Sequence, residues 1–205
     1  MKIYLNSLRF RKLMREKKKD VVLFLVVIAL IFASFYFDSQ IVRAISFLRN
    51  DFLNDFFLGI TFLSSDLIIF FFLTSLFLWN ENKRRWIFPL WLTLSLSMIA
   101  SFLLKISIQR ARPFQLEIVS TLPVLVKESY NIWNFAFPSF QSMLVFCAIP
   151  ILATEFKKLK YFWIAFAVLV AFSRVYFGVH FPSDVIAGAL IGYLLGVFVV
   201  KLEKE

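Results

Sequence analysis

Six apolar stretches, at about 21–37, 56–79, 86–104, 138–154, 161–179 and 185–200, dominate this chain of 205 residues. Several approach the roughly 20 residues a helix needs to cross the hydrocarbon core of a bilayer. The fourth and sixth, at about 17 and 16 residues, need flanking turns to reach that length. Lipid offers the backbone no water to bond, so helices are the sensible spanning form. The apolar–polar alternation of an outer-membrane barrel is absent. The expected fold is all-α, an integral membrane bundle of six transmembrane helices. A hydrophobic share of 60% excludes a disordered chain and exceeds that of a typical soluble domain.

Charge orients the bundle. Sixteen of the 23 Lys and Arg lie in four segments: Lys2 to Lys19, Lys83 to Arg85, Lys157 to Lys160, and Lys201 with Lys204. In a soluble protein the net charge of +10 would suggest nucleic acid. Here the charge sits between apolar runs, so no nucleic-acid partner is expected. The positive-inside rule places these segments, and both termini, in the cytoplasm, with the protein in the cell membrane.

Residues 1–20 mix Ile3, Tyr4, Leu5, Leu8 and Leu13 with bases, as a helix lying on anionic lipid would, with a frayed tail as the competing reading. The expected organisation is this cytoplasmic segment, a transmembrane domain over 21–200 and a cytoplasmic tail over 201–205. The first stretch reads as a retained anchor, since no small-residue cleavage site follows it. Ile41, Ile45, Leu48 and Phe52 recur at helical spacing and suggest a short outer surface helix, with an ordinary loop as the competing reading. Cys147 is the sole cysteine, which excludes an internal disulfide and a cysteine zinc cluster.

Lys105, Arg110, Arg112 and Arg174 are not explained by orientation. They flank or enter apolar helices near the opposite, outer face, where charge is expensive. Any one alone reads as a snorkelling helix end. Lys105 and Arg112 are seven apart, so they share a face if that helix continues to Pro113. Arg174 precedes His180, the only histidine, by six residues, and Asp184 follows four later. Pro182 suits the first turn of a helix, where Asp184 is favourable. The Asp184 carboxylate is placed to accept from one ring nitrogen of His180, leaving the other as a nucleophile. Pro138-Ser139 opens another helix at the same face, and a helix N-terminus suits phosphate. Cations, a helix N-terminus and an oriented histidine at one membrane face suggest phosphoryl chemistry.

Two further features stay open. Asp66, beside Ser64 and Ser65, lies inside an apolar run and reads either as an ion-path carboxylate or as a hydrogen-bonded packing residue. Gly188, Gly192 and Gly196 repeat every fourth position and read as close packing within the bundle, with a contact between copies in a homo-oligomer as the second reading.

Lys105-x6-Arg112-Pro113, Pro138-Ser139 and Ser173-Arg174-x5-His180-x3-Asp184 resemble the three signatures of the type 2 phosphatidic acid phosphatases. The resemblance implies a six-helix core, an outward-facing site, no metal or other cofactor, and a lipid phosphate or diphosphate as substrate. It implies that Lys105, Arg112 and Arg174 hold phosphate with help from Ser139, that His180 attacks, and that Asp184 orients it. One signature departs. The family's Pro-Ser-Gly-His reads Pro138-Ser139-Phe140-Gln141 here. Gln141 stands in the place of the acid histidine and can donate a hydrogen bond but not usefully release a proton. Losing a general acid costs about 10²–10⁴-fold.

Three functions follow from that departure. The first is a phosphatase acting on a substrate with a good leaving group, such as a polyprenyl diphosphate. The second is a catalytically impaired member that binds or moves phospholipid without hydrolysis. The third, an unrelated small transporter, ranks well below both.

Overall fold

The computed structural model describes residues 26, 29, 33–126 and 132–205. The chain divides into two compact units, Met1–Phe37 and Asp38–Glu205. In the first, the described residues are helical. The basic segment over 1–20 and most of the first apolar stretch lie outside the described residues.

The second unit is all-helical among its described residues. Its elements are α1 (38–46), α2 (Asp51–Leu63), α3 (Asp66–Leu78), α4 (Ile87–Ile108), α5 (Phe140–Glu155), α6 (Leu159–Tyr176) and α7 (Pro182–Leu202). The helix ends follow local chemistry. Asn50 caps α2, its side-chain oxygen accepting the Leu53 amide at 3.0 Å. Gln109 closes α4 in the left-handed region, at φ 48°. Pro182 opens α7.

Two expectations need correction. The segment 41–52 is not one surface helix: α1 ends at Ser46, and Asn50 starts a new helix, so Ile45 and Phe52 lie on different elements. The second apolar stretch is not one straight helix either. It breaks at Ser64 and Ser65, and α2 and α3 meet at a bend of 60°. The Ser64 hydroxyl turns back to donate to the Thr61 carbonyl at 2.9 Å, and the Asp66 carboxylate lies in the favourable first turn of α3. Asp66 is exposed there.

Among the described residues, three helices are long and apolar enough to cross a membrane: α4 with its preceding turn (Glu81–Ile108), α6 and α7. The bent α2–α3 pair makes a fourth if counted as one span, and α5 is apolar but shorter. Large apolar side chains such as Phe71, Phe72, Phe88, Phe162 and Phe198 point outward, as lipid-facing residues do. Helices of this length and apolar character, with apolar side chains facing outward, are those of an integral membrane protein.

The short α5 runs through the middle of the bundle. Nearly every residue from Ser142 to Leu152 is buried, packed by α4, α6 and α7. Its closest partner is α7, and the glycines explain why. A Cβ on Gly188, Gly192 or Gly196 would collide with the backbone carbonyl oxygen of Ser139, Met143 or Cys147 respectively. The stripe is therefore packing within one chain. Gly192→Ala should destabilise the protein by about 3 kcal/mol, the upper end for overpacking, because backbone cannot step aside as a side chain can. Gly59→Ala on the exposed face of α2 meets nothing within 4 Å and should be neutral or slightly stabilising. Thermal unfolding in detergent checks the pair; equal melting temperatures would contradict the close approach.

Candidate active site

Four helix ends meet at one end of the bundle. The α5 and α7 N-termini are stitched together by the Ser139 amide, which donates to the Asp184 carbonyl at 3.0 Å. The C-terminal turns of α4 and α6 bring Lys105 and Arg174 to the same place. The loop after α4 carries Arg110 and Arg112. The basic residues Lys83 and Arg85 lie at the opposite end, against Glu155 at the end of α5.

The segment 132–136 lines the site with carbonyl oxygens. The Lys105 ammonium, itself buried, donates to the Phe135 carbonyl at 2.5 Å. Arg112 donates to the Asn134 carbonyl at 2.9 Å and to the Trp133 carbonyl at 2.6 Å. Burial draws the Arg112 guanidinium down to about 10, against a partly opposing pull from Asp184, so it remains charged at neutral pH. Arg174 is buried, and its guanidinium makes a long 3.4 Å hydrogen bond to the Thr61 hydroxyl. Its Nε has no hydrogen-bond partner among the described residues. A buried guanidinium with an unspent donor is costly unless an anion uses it.

His180 sits on the loop between α6 and α7 and is 4% exposed. Its Nδ1 lies 2.7 Å from the Ala136 carbonyl oxygen. A carbonyl only accepts, so Nδ1 carries the proton and Nε2 keeps the lone pair. Burial, followed by Arg112, Lys105 and Arg174, holds the imidazole well below its ordinary pKa. His180 is therefore neutral at physiological pH, as a nucleophile must be.

The expected hydrogen bond from the His180 ring to Asp184 is not formed. Asp184 Oδ2 lies 3.8 Å from Nδ1, and the ring proton goes to Ala136 instead. Asp184 Oδ2 accepts the Phe181 amide at 2.8 Å, and Oδ1 accepts from Arg110 at 2.7 Å. The carboxylate thus holds the backbone beside His180 and leaves the ring to Ala136. A main-chain acceptor carries no mark in the sequence. Ser139 is buried at the N-cap of α5, where its hydroxyl accepts from Ser142 at 3.0 Å. Gln141 is half-buried in the first turn of α5. Phe140, in the place of the family glycine, packs its ring 5.1 Å from that of Trp133. Among the described residues no cluster of His, Cys, Asp and Glu could hold a metal ion.

Sequence reasoning singled out Arg110 but gave it no role, and it passed over Asp38. Both belong to the site's surroundings. Arg110 donates to Asp38 at 2.6 Å, and Asp38 accepts the Ser183 amide at 3.0 Å. Asp38 is buried in α1, far from the signatures in sequence.

Comparison with known proteins sets this geometry in context. The family model described as the PAP2 superfamily matches residues 86–205. Over 80 residues the chain is 38% identical to a bacitracin transport permease protein of Bacillus licheniformis, covering 39% of each chain. Over 72 residues it is 40% identical to an undecaprenyl-diphosphatase of Sulfolobus acidocaldarius, covering 35% of each. These matched segments thus span well under half the length of either relative. The fold is similar to the crystal structure of a transmembrane PAP2-type phosphatidylglycerolphosphate phosphatase from Bacillus subtilis. That match has a TM-score of 0.71 and 28% identity, covering 90% of this chain and 95% of that one.

Proposed function

The chain belongs to the PAP2 superfamily, and on that footing we propose that it is a membrane lipid phosphatase acting through a phosphohistidine intermediate. The observation that carries this reading is His180: a neutral imidazole with its Nδ1 proton held by Ala136, surrounded by Lys105, Arg112 and Arg174. Its Nε2 attacks phosphorus, the P–O bond to the leaving group breaks, and water then cleaves the P–N bond to release inorganic phosphate. Lys105 and Arg112 keep donors beyond those spent on carbonyls, and Arg174 has an unspent Nε for a phosphate oxygen. Ser139 and the N-terminus of α5 add to the anion site. The cations act most strongly on the charge that develops in the transition state.

Gln141 sets the substrate. With no acid to protonate it, the leaving group must depart as a stable anion. A diphosphate releases a phosphate monoester, whereas phosphatidic acid must release an alkoxide. A polyprenyl diphosphate is therefore preferred, and the name of the Sulfolobus relative points the same way. In this reading six helices span the cell membrane, residues 1–20 lie on its inner surface with the 201–205 tail beside them, and the site faces outward. The second reading, a member that binds phospholipid without hydrolysing it, also draws on Gln141.

Phosphate release by detergent-purified protein tests the choice, with a polyprenyl diphosphate, phosphatidylglycerol phosphate and phosphatidic acid offered in parallel. Release mainly from the diphosphate is expected. Release mainly from phosphatidic acid would reject the leaving-group argument, and binding of all three without turnover would favour the second reading.

A further inference from the structure

Arg110 grips His180 from two directions. Through its backbone, the Arg110 carbonyl accepts the Ala136 amide at 2.7 Å, and the Ala136 carbonyl in turn accepts the His180 ring proton. Through its side chain, Arg110 donates to Asp184 at 2.7 Å, and Asp184 holds the Phe181 amide next to His180. The guanidinium also lies over the Phe181 ring, 4.1 Å from its centroid. Both ends of the histidine's restraint, ring and backbone, pass through this one residue.

Asp38 locks the grip. It takes Arg110 on Oδ2 at 2.6 Å, the Ser183 hydroxyl on the same oxygen at 2.5 Å, and the Ser183 amide on Oδ1 at 3.0 Å. Ser183 also accepts from Arg110 at 2.6 Å, which closes the arrangement. Asp38 and Asp184 are both almost fully buried, and the guanidinium bridges them. Removing one member of such a buried set leaves the others uncompensated. None of the contacts needs Arg110 to reach the substrate.

We infer that Arg110, held by Asp38, is a positioning residue that fixes the His180 ring for attack. The inference rests on the reading of His180 as the nucleophile. It is a role in orientation, so it belongs to kcat and to the state of the imidazole rather than to phosphate affinity.

The test uses the full chain in detergent with Arg110→Gln, Arg110→Lys, Asp38→Asn and the Arg110→Gln/Asp38→Asn double variant. Loss of the partner that orients a metal-ligating histidine costs about 10–100-fold, and the same scale is expected for this histidine. Arg110→Gln should lower kcat on the polyprenyl diphosphate by that factor, with KM held within about threefold. Arg110→Lys should recover part of the loss, and the double variant should be no worse than Arg110→Gln, because the two act as one unit. A second readout needs no turnover. His180 is the only histidine, so side-chain ¹⁵N NMR reports it alone. The unaltered chain should show a protonated Nδ1, and Arg110→Gln an average of both tautomers.

An unchanged kcat with an unchanged histidine spectrum would overturn the inference. So would a lower melting temperature with neither readout moved, which marks a purely structural role. If Arg110→Gln does not fold, Arg110→Lys and Asp38→Asn carry the same comparison. If the unaltered chain hydrolyses nothing, the phosphatase reading fails, and the tautomer comparison still decides whether Arg110 positions the ring.

Discussion

Phosphate release by His180→Ala is expected to fall by about 10³-fold or more, the scale seen when a nucleophile is removed from a preformed site. His180 is the only histidine, and Cys147, the only thiol, is buried in the middle of α5. No second imidazole or accessible thiol is therefore at hand to take over the attack. The residual rate reflects what the cations and the helix N-terminus provide alone. The substitution should not unfold the chain. It orphans the Ala136 carbonyl, at a cost of about 1–3 kcal/mol. In the unaltered protein, rapid acid-free quenching with labelled substrate should trap label on the chain, and all of it should map to residue 180. Activity within tenfold of the unaltered chain, or label elsewhere, would remove His180 from the nucleophile's role.

Gln141→His is expected to have the next largest effect, in the opposite direction. Supplying a proton donor is worth about 10²–10⁴-fold, and the gain should appear on phosphatidic acid, whose leaving alkoxide needs the proton. The gain on a polyprenyl diphosphate should be smaller. Position 141 is half-buried in the opening turn of α5, two residues past Ser139. Phe140 should be kept in the first variant, because it packs on Trp133, whose carbonyl holds Arg112. Steady-state kinetics on both substrates check the pair. Equal gains on both would show that leaving-group protonation is not what separates them, and no gain would show that the opening turn of α5 does not face the leaving group.

Much of this could be read from residues alone. Lys105, Arg112, Ser139, Arg174, His180 and Asp184 come from helix ends and adjoining loops that hydropathy and charge had already assigned to one side. The glycines at 188, 192 and 196 declared a close helix contact by their spacing. The invisible parts have physical reasons. Trp133, Asn134, Phe135 and Ala136 act through carbonyl oxygens, which every residue possesses. Asp38 reads as a polar residue at the end of an apolar run, and its link to Arg110 crosses 72 positions. The bend at Ser64–Ser65 was averaged away by a hydropathy window, although two serines before Asp66 are the ordinary chemistry of a helix start.

The three glycine contacts have a mechanical consequence. Gly188, Gly192 and Gly196 lie on α7 in steps of four, and their counterparts Ser139, Met143 and Cys147 lie on α5 in the same steps. The two helices are keyed like a toothed rail. A shift of one residue would drive a β-carbon into a carbonyl, so any slip must be a whole step of four residues, about 6 Å. Bilayers vary in thickness, and helices accommodate the mismatch by tilting or kinking. This pair can only tilt as one rod. Ser139 and Asp184, at the upper end of that rod, keep their spacing whatever the depth of the surrounding lipid.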